Sequence, residues 1–176
     1  MKKVLVLGDS LTLPRLTPEI CLYEDTWPVL LRGDFQVHQV SIGGGTIRDL
    51  YRQLEYHKGF VPDYVILQSG IVDCAPRSLT EFEVELIKRI WGIGRILLGI
   101  IQRNSILLRK HRRISYTPPD SFAKNVSLIK RAFSHAEFIV IGILPAMRNY
   151  ESVVPGITSR IIQYNKILER EGGNGY

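Results

Sequence analysis

The sequence predicts an α/β fold of three layers, α/β/α, in which helices cover both faces of a parallel sheet of about four strands. Short apolar runs alternate along the chain with longer segments whose apolar residues recur at helical spacing. Continuous apolar runs are typical of strands that are buried on both faces, as in parallel sheets. Parallel strands that alternate with helices are joined by right-handed crossovers, which place helices on both sides of the sheet.

Four segments are predicted as strands and four as helices. The strands are residues 4–7, 35–40, 63–68 and 137–144, and the helices are residues 19–32, 46–57, 121–135 and 156–170. Pro28 falls inside the first helical segment and predicts a break there. Thr46 has the side chain of an N-cap, so the second helix is predicted to begin just after it.

A long helical insertion interrupts this alternation after the third strand. Residues 79–115 mix isoleucines and leucines with lysines and arginines, which predicts one or two amphipathic helices broken near Gly92, Gly94 or Gly99. The formal net charge is +6, and much of the positive charge lies within residues 88–113. One interpretation is a helical cap with solvated basic side chains. The alternatives are a lid over the site or a patch that contacts an anionic membrane surface. We expect no specific nucleic-acid binding.

The length, the cysteines and the N-terminus narrow the class of protein. A chain of 176 residues suits one well-buried domain better than two, so residues 1–176 are predicted as a single domain. Cys21 and Cys74 are too few for a disulfide scaffold and fit no common zinc pattern. The N-terminal apolar run, residues 4–7, is too short for a signal peptide. We therefore expect a cytoplasmic protein without a metal or cofactor.

Three segments with chemically useful residues follow predicted strands. They are Gly8–Asp9–Ser10 after the first strand, residues 41–46 with three successive glycines after the second, and residues 69–73 after the third. Ligands of parallel α/β sheets bind beyond the carboxyl ends of the strands. A serine hydroxyl beside a glycine-rich turn offers a nucleophile and backbone N–H donors, which are the parts that acyl transfer needs.

The order of these segments resembles the SGNH/GDSL hydrolases, whose sheet is flavodoxin-like. Gly8-Asp9-Ser10-Leu11 is similar to the first block of that family, which implies that Ser10 is the nucleophile. Residues 41–46 are similar to the second block, which implies an oxyanion hole formed by the N–H groups of Ser10 and Gly44. Residues 70–73 resemble the third block, normally Gly-x-Asn-Asp. Residues 70–77, followed by a basic insertion, also resemble a branch of the family linked to bacterial surface-polysaccharide biosynthesis.

Two departures from the family pattern affect the expected chemistry. Val72 stands where the third block has asparagine, and the loss of one oxyanion donor typically costs about 100- to 1000-fold in rate. The sequence also contains neither a fifth strand nor the Asp-x-x-His that supplies the family's catalytic base. We interpret the four histidines, His38, His57, His111 and His135, as surface or packing residues. Among them, His111 is expected to reach Ser10 only if the insertion folds over as a lid.

Other polar residues near the predicted site have structural interpretations beside functional ones. Asp9 is expected either to cap the turn after the first strand or to touch substrate, and Asp73 to accept hydrogen bonds from loop N–H groups. Cys74 is interpreted as a small buried residue. Arg77 is interpreted either as a ligand for an anionic substrate or as a solvated surface residue.

Three hypotheses about function follow. The first is an SGNH-type ester hydrolase or acyl-transfer domain that acts on a small ester or an O-acylated carbohydrate, with a base from His111, a partner chain or a further C-terminal segment. The second is a non-catalytic relative that binds a saccharide or acts as a scaffold. The third is a protein that binds an anionic surface through residues 88–113. Without a fifth strand the apolar fourth strand becomes an edge, so we also expect a homodimer through residues 138–144.

Overall fold

The computed structural model describes residues 1–17, 19–90, 92–147 and 149–172, and its centre is a four-stranded parallel sheet. The strands are β1 (Lys3–Gly8), β2 (Gln36–Ser41), β3 (Tyr64–Gln68) and β4 (Glu137–Val140), in the order β2-β1-β3-β4. Gly8 at the end of β1 pairs with Ser41 of β2 and Gln68 of β3, so three strands end at the same level. This sheet, with helices on both sides, confirms the predicted α/β class.

The helices come from both predicted and unpredicted segments. They are α1 (Trp27–Leu30), α2 (Ile47–Gln53), α3 (Ile71–Cys74), α4 (Glu81–Arg89), α5 (Gly94–Arg103), α6 (Ser105–Arg112), α7 (Pro119–Ala132), α8 (Tyr150–Val153) and α9 (Ile157–Gly172). Helix α7 packs against α2 and α9 through Phe122, Val126 and Ile129, which are fully buried. Each of the nine is too short or too polar to cross a membrane, over the residues that the structure describes.

The predicted helix over residues 19–32 is wrong. Only Trp27–Leu30 is α-helical, and Pro28 occupies the start of that helix, where its missing N–H costs nothing. Ahead of it, Arg15 and Cys21 form an antiparallel bridge through two backbone hydrogen bonds of 2.9 and 2.8 Å. A 3-10 turn, Tyr23–Asp25, follows. This segment therefore forms a folded loop beside the end of β1.

The fourth strand is shorter than predicted. It was expected over residues 137–144, and it ends at Val140. Beyond it, the side-chain amide of Asn165 on α9 accepts a hydrogen bond from Ile143 N–H (2.8 Å) and donates one to the Ile143 carbonyl (3.0 Å). A side chain thus takes the place that a neighbouring strand would occupy. β4 is still at the edge of the described sheet, so pairing of two copies there stays a prediction, over a shorter strand.

The insertion forms three helices, not the predicted one or two. Helix α4 begins at a capping box in which Thr80 and Glu83 exchange hydrogen bonds, and it ends at Arg89, before α5 begins at Gly94. Gly92 between these helices has a φ of +77°, a conformation that favours glycine. Asn104 separates α5 from α6. Arg77 and Ile114 form an antiparallel bridge that closes the base of the insertion.

Candidate functional site

The turn after β1 presents Ser10 to solvent. Ser10 begins a 3-10 turn, Ser10–Thr12, and the buried Asp9 caps it by accepting a hydrogen bond from Leu11 N–H (2.9 Å). The Thr12 hydroxyl, fully buried, donates to the Asp9 carbonyl (2.7 Å) and lies 2.6 Å from Ser41 Oγ at the end of β2. These bonds fix the backbone on both sides of Ser10 and leave its side chain exposed.

The glycine turn after β2 lies next to this serine turn. Ile42 N–H donates to the Gly8 carbonyl (3.0 Å), which holds the two segments side by side. Gly45 N–H then donates to the Ile42 carbonyl (3.0 Å) and closes a tight turn around Gly43 and Gly44. Gly44 has a φ of +70° and is exposed, with no atom within 4 Å of the position a Cβ would take. The surface over Gly44 is therefore open to a ligand.

The third segment is held in place by contacts with its neighbours. Gly70 has a φ of +137°, and a Cβ at this position would lie 2.6 Å from Ile143 Cδ1, so glycine is required there. Val72 is half-buried, and its carbonyl accepts a hydrogen bond from Arg77 Nη2 (3.2 Å). The Arg77 guanidinium also stacks on Tyr116, 4.4 Å from the ring centre. Arg77 thus has a structural role at the base of the insertion.

Asp73 connects the third segment to the second. Its carboxylate accepts a hydrogen bond from Ile47 N–H, with both oxygens 3.1 Å from the nitrogen, at the first residue of α2. Burial raises the pKa of Asp73 to about 6, while the neighbouring Thr117 side chain and Ile47 N–H oppose the rise. The Asp73 carboxylate lies at the N-terminus of α2, where the helix dipole favours a negative charge. Asp73 therefore organises the glycine turn and does not face solvent.

A cleft of about 660 Å³ lies over Ser10. Its lining brings together Ser10, Gly43 and Ile71, one residue from each of the three predicted segments. Gly44, the expected partner of Ser10 in the oxyanion hole, and Val72, which replaces the asparagine of the family, adjoin these residues in sequence but do not line the cleft themselves. Residues 143–147 form much of the remaining wall and make it mostly apolar. Sequence reasoning missed this wall, because it had placed residues 141–144 in a strand.

The described lining of the cleft contains no histidine, and its titratable residues are Arg15, Glu19 and Tyr150. His111 is exposed on α6, and His135 lies beside Glu137, where β4 begins and not where the strands end. A serine at its ordinary pKa is a weak nucleophile without a base in hydrogen-bond reach. The described residues therefore place a serine and a glycine turn at the cleft without the family's base.

The other histidines form a pair that sequence reasoning missed. His38 Nε2 on β2 lies 2.9 Å from His57 Nδ1, and the ring of Phe60 packs against His38. Partial burial and the neighbouring His38 lower the pKa of His57.

Cys74 has a structural role, since burial raises the pKa of its thiol to about 12 and keeps it protonated.

Comparisons with known proteins agree with this geometry. No family model and no curated protein sequence matches the chain. Solved structures do match: a lipase/acylhydrolase from Enterococcus faecalis aligns with a TM-score of 0.60 at 16% identity, over 98% of this chain and 71% of its own. TesA aligns with a TM-score of 0.56 at 19% identity, over 97% and 74%. An acetylxylan esterase from Geobacillus stearothermophilus gives 0.55 at 17%, over 97% and 71%. The chain therefore has the SGNH/GDSL hydrolase fold.

Proposed function

We propose that this protein is an SGNH-type ester hydrolase or acyl-transfer domain that acts on a small ester or an O-acylated carbohydrate. The observation that carries the proposal is the exposed Ser10 hydroxyl in a mostly apolar cleft, beside a glycine turn at the carboxyl ends of β1 and β2. Such a cleft suits an acyl group, and the acetylxylan esterase with a similar fold acts, by its name, on an acylated carbohydrate. We further propose a cytoplasmic location, since both cysteines are free thiols. A role in surface-polysaccharide synthesis is proposed on the resemblance of residues 70–77 to that branch of the family.

In this mechanism Ser10 Oγ attacks the acyl carbon and its proton passes to a base. The oxyanion is held by the backbone N–H groups of Ser10 and Gly44, neither of which donates a hydrogen bond to a described residue. Collapse of the tetrahedral intermediate breaks the ester bond, releases the alcohol and leaves an acyl-serine, which water or a second alcohol then cleaves. Val72 has no side-chain donor, so these two amides carry the stabilisation.

The base of this reaction comes from outside the described cleft lining. His111 would have to move with the insertion, whose base is anchored by the Arg77–Ile114 bridge. A histidine from a partner chain or from a further polypeptide segment requires no such movement. We favour these two sources for that reason.

A non-catalytic saccharide-binding or scaffold role is the second candidate. Valine at position 72 and the absence of a histidine from the described cleft lining are what loss of catalysis would leave behind. The exposed serine and glycine turn would then act as hydrogen-bonding groups in a binding cleft. The two candidates differ in one measurable property, which is the reactivity of the Ser10 hydroxyl.

Labelling with a fluorophosphonate probe tests this reactivity. If Ser10 is activated, the probe phosphonylates it, with loss of fluoride, and Ser10→Ala abolishes labelling. Ser134→Ala is the matched control, because Ser134 is also exposed but lies just before β4, away from the cleft. Labelling is measured by intact-protein mass spectrometry, with and without a cell extract that could supply a partner. Absence of Ser10-dependent labelling in both conditions supports the non-catalytic candidate.

The exposed apolar and basic residues of the insertion support an additional role, which is contact with an anionic membrane surface. Helix α5 and the residue before it expose large apolar side chains to solvent: Ile93, Ile96 and Ile100 are 64%, 65% and 53% exposed. They recur at helical spacing, and exposed apolar surface of this kind marks interaction sites. Arg95 and Arg103 on the same helix are exposed and form no salt bridge with a described residue. Apolar residues flanked by arginines suit the interface of a bilayer that contains anionic lipids.

Vesicle sedimentation tests this membrane contact. We expect the protein to sediment with vesicles of phosphatidylglycerol and phosphatidylcholine, and Ile96→Gln/Ile100→Gln to weaken the binding about tenfold, since apolar burial is lost. The control is Ile20→Gln/Ile162→Gln, which removes two equally exposed isoleucines outside the insertion. Equal weakening in both variants, or no sedimentation of the wild-type protein, contradicts the proposed contact.

A further inference from the structure

A second cavity, of about 610 Å³, lies between the insertion and the start of α9 and is lined by cations. Arg109, Lys110 and Arg113 come from the end of α6, and Arg160 comes from α9. The remaining described lining residues are proline, glycine, serine and glutamine, with no Asp or Glu among them. We call this cavity the basic pocket. Four positive charges that converge without a carboxylate create a local field that attracts anions.

The cations of the basic pocket are not neutralised by ion pairs. Among the described residues, none of the four forms a salt bridge, whereas the adjacent Arg112 pairs with Glu83 at 2.6 Å. Arg109 Nη1 donates to the Val153 carbonyl (2.9 Å), and Arg160 Nη2 donates to the Arg113 carbonyl. These carbonyls hold two guanidinium groups in position and leave their charge uncompensated. Positioned, unpaired arginines are typical of anion sites.

The side chain of Arg109 is partly enclosed by the protein. Its Nε is buried and has no hydrogen-bond partner among the described residues. Buried donors in folded proteins are almost always satisfied, and an orphaned one costs free energy. Because the Nε is out of contact with solvent, a ligand in the basic pocket would contact Arg109 through its Nη groups.

Glu151, whose carboxylate contacts Gly156 of the pocket lining, is already engaged in other hydrogen bonds. It accepts hydrogen bonds from Gly156 N–H, from Thr158 N–H (3.0 Å) and from the Thr158 hydroxyl (2.6 Å), and so caps the start of α9. These bonds, that from the Thr158 hydroxyl first, hold the pKa of Glu151 below its usual range. The helix end is therefore satisfied, and a ligand in the basic pocket would be held by the four side chains.

We propose that the basic pocket binds a phosphoryl group with two or more negative charges. Guanidinium groups match phosphate oxygens with paired N–H donors, and four cations suit a multiply charged ligand better than a single carboxylate. Helix α8 separates the pocket from the Ser10 cleft: Tyr150 lines the cleft, and the Val153 carbonyl holds Arg109. Four helical residues span only about 6 Å. A phosphorylated ester could therefore occupy both cavities, an extension that rests on the proposed function.

Titration calorimetry with inorganic pyrophosphate tests the pocket at constant ionic strength. We expect saturable binding at one site by the wild-type protein, and at least tenfold weaker binding by Lys110→Gln/Arg113→Gln. Neither of these two side chains donates a hydrogen bond to a described residue, so the variant keeps the packing of the insertion. The control is Lys124→Gln/Arg131→Gln, which removes one lysine and one arginine that are exposed on α7, outside the pocket and outside the insertion, and should change binding by less than twofold.

A parallel arm separates a free phosphoryl ligand from a lipid headgroup. Vesicles that contain phosphatidic acid are added to the same three proteins. The proposal is supported if the pocket variant alone binds pyrophosphate or these vesicles more weakly. The arm in which its binding is weakened shows whether the ligand is a free phosphoryl compound or a lipid headgroup. The proposal is overturned if no binding occurs in either arm, or if the pocket and control variants weaken it equally. Because the readout is binding, its failure is distinct from a failure of Ser10 labelling.

Discussion

Replacing Gly8 by alanine is expected to lower the free energy of unfolding by about 3 kcal/mol and to displace the turn that carries Ser10. A Cβ at position 8 would lie 2.3 Å from both Cγ2 and Oγ1 of Thr12, far inside contact distance. Thr12 cannot rotate away at low cost, because it is fully buried and its hydroxyl is bonded to the Asp9 carbonyl. The new methyl group must therefore push the 3-10 turn outward. Urea unfolding followed by tryptophan fluorescence measures the loss of stability.

The clash can be separated from a general effect of alanine by a control and a double-mutant cycle. Gly59→Ala adds a Cβ with no atom within 4 Å and should change stability by less than about 0.5 kcal/mol. Thr12→Ala removes the two nearest of the three clashing atoms and leaves only the Thr12 Cβ position at 2.8 Å, so Gly8→Ala should cost distinctly less in its presence than in the wild-type protein. Equal costs in the two backgrounds would show that Thr12 is not the obstacle.

Gly8→Ala also links the fold to the proposed chemistry. The Asp9 cap and the Thr12 hydrogen bonds hold the backbone on either side of Ser10, so a displaced turn moves the hydroxyl away from the glycine turn. A misplacement of about 1 Å can cost on the order of 100-fold in rate at a catalytic site. Packing against Thr12 is therefore sufficient reason for glycine at position 8, independently of any role of the Gly-Asp-Ser motif in catalysis.

The parts of the fold set by local pattern could be predicted from the sequence. Apolar runs located β1, β3 and β4, because a strand buried on both faces tolerates few polar side chains, and alternating apolar and polar residues located β2. Thr46 located the start of α2, where its hydroxyl and the Asp49 carboxylate form a capping box. The three candidate site segments followed from the strand ends, since parallel strands end on one edge of the sheet.

The parts that depend on long-range contacts could not be predicted. The backbone just beyond β4 is bound at Ile143 by the side-chain amide of Asn165, 22 residues away, and not by a neighbouring strand. The predicted helix over residues 19–32 failed because the bridge between Arg15 and Cys21 outweighs helical periodicity there. The basic pocket could not be predicted for the same reason: Arg160 is far in sequence from the cations of α6 and lies beside them only in the folded protein. Its charges had been assigned to a solvated or membrane-facing surface.

The same long-range contacts give Asp73 an expected effect on stability that changes with pH. A carboxyl whose pKa is raised by folding favours the folded state when it is protonated. Its contribution is present in full below the unfolded value of 3.8 and is lost as the pH rises through about 6. The difference between these pKa values corresponds to about 3 kcal/mol. Neutral pH therefore destabilises the protein through this one buried carboxylate.

Asp73→Asn removes the ionisation and keeps an oxygen that can accept the hydrogen bond from Ile47 N–H. The unfolding free energy of the variant minus that of the wild type should rise by about 3 kcal/mol between pH 3 and pH 7.5. Any constant cost of the amide cancels in this change, so the measurement isolates the ionisation. Urea titrations at half-unit pH intervals give the two curves.

Asp63→Asn is the matched control with the opposite sign. The hydrogen bond from Lys3 N–H lowers the pKa of this exposed carboxyl, so its contribution is present above 3.8 and is lost as the pH falls. The stability difference for Asp63→Asn should therefore fall with rising pH, where that for Asp73→Asn rises. A flat curve for Asp73→Asn would mean that the carboxyl is equally ionised in both states. Ionisation of Asp73 would then not lower the free energy of unfolding, and its hydrogen bond to Ile47 N–H would be equally stable with either form of the carboxyl.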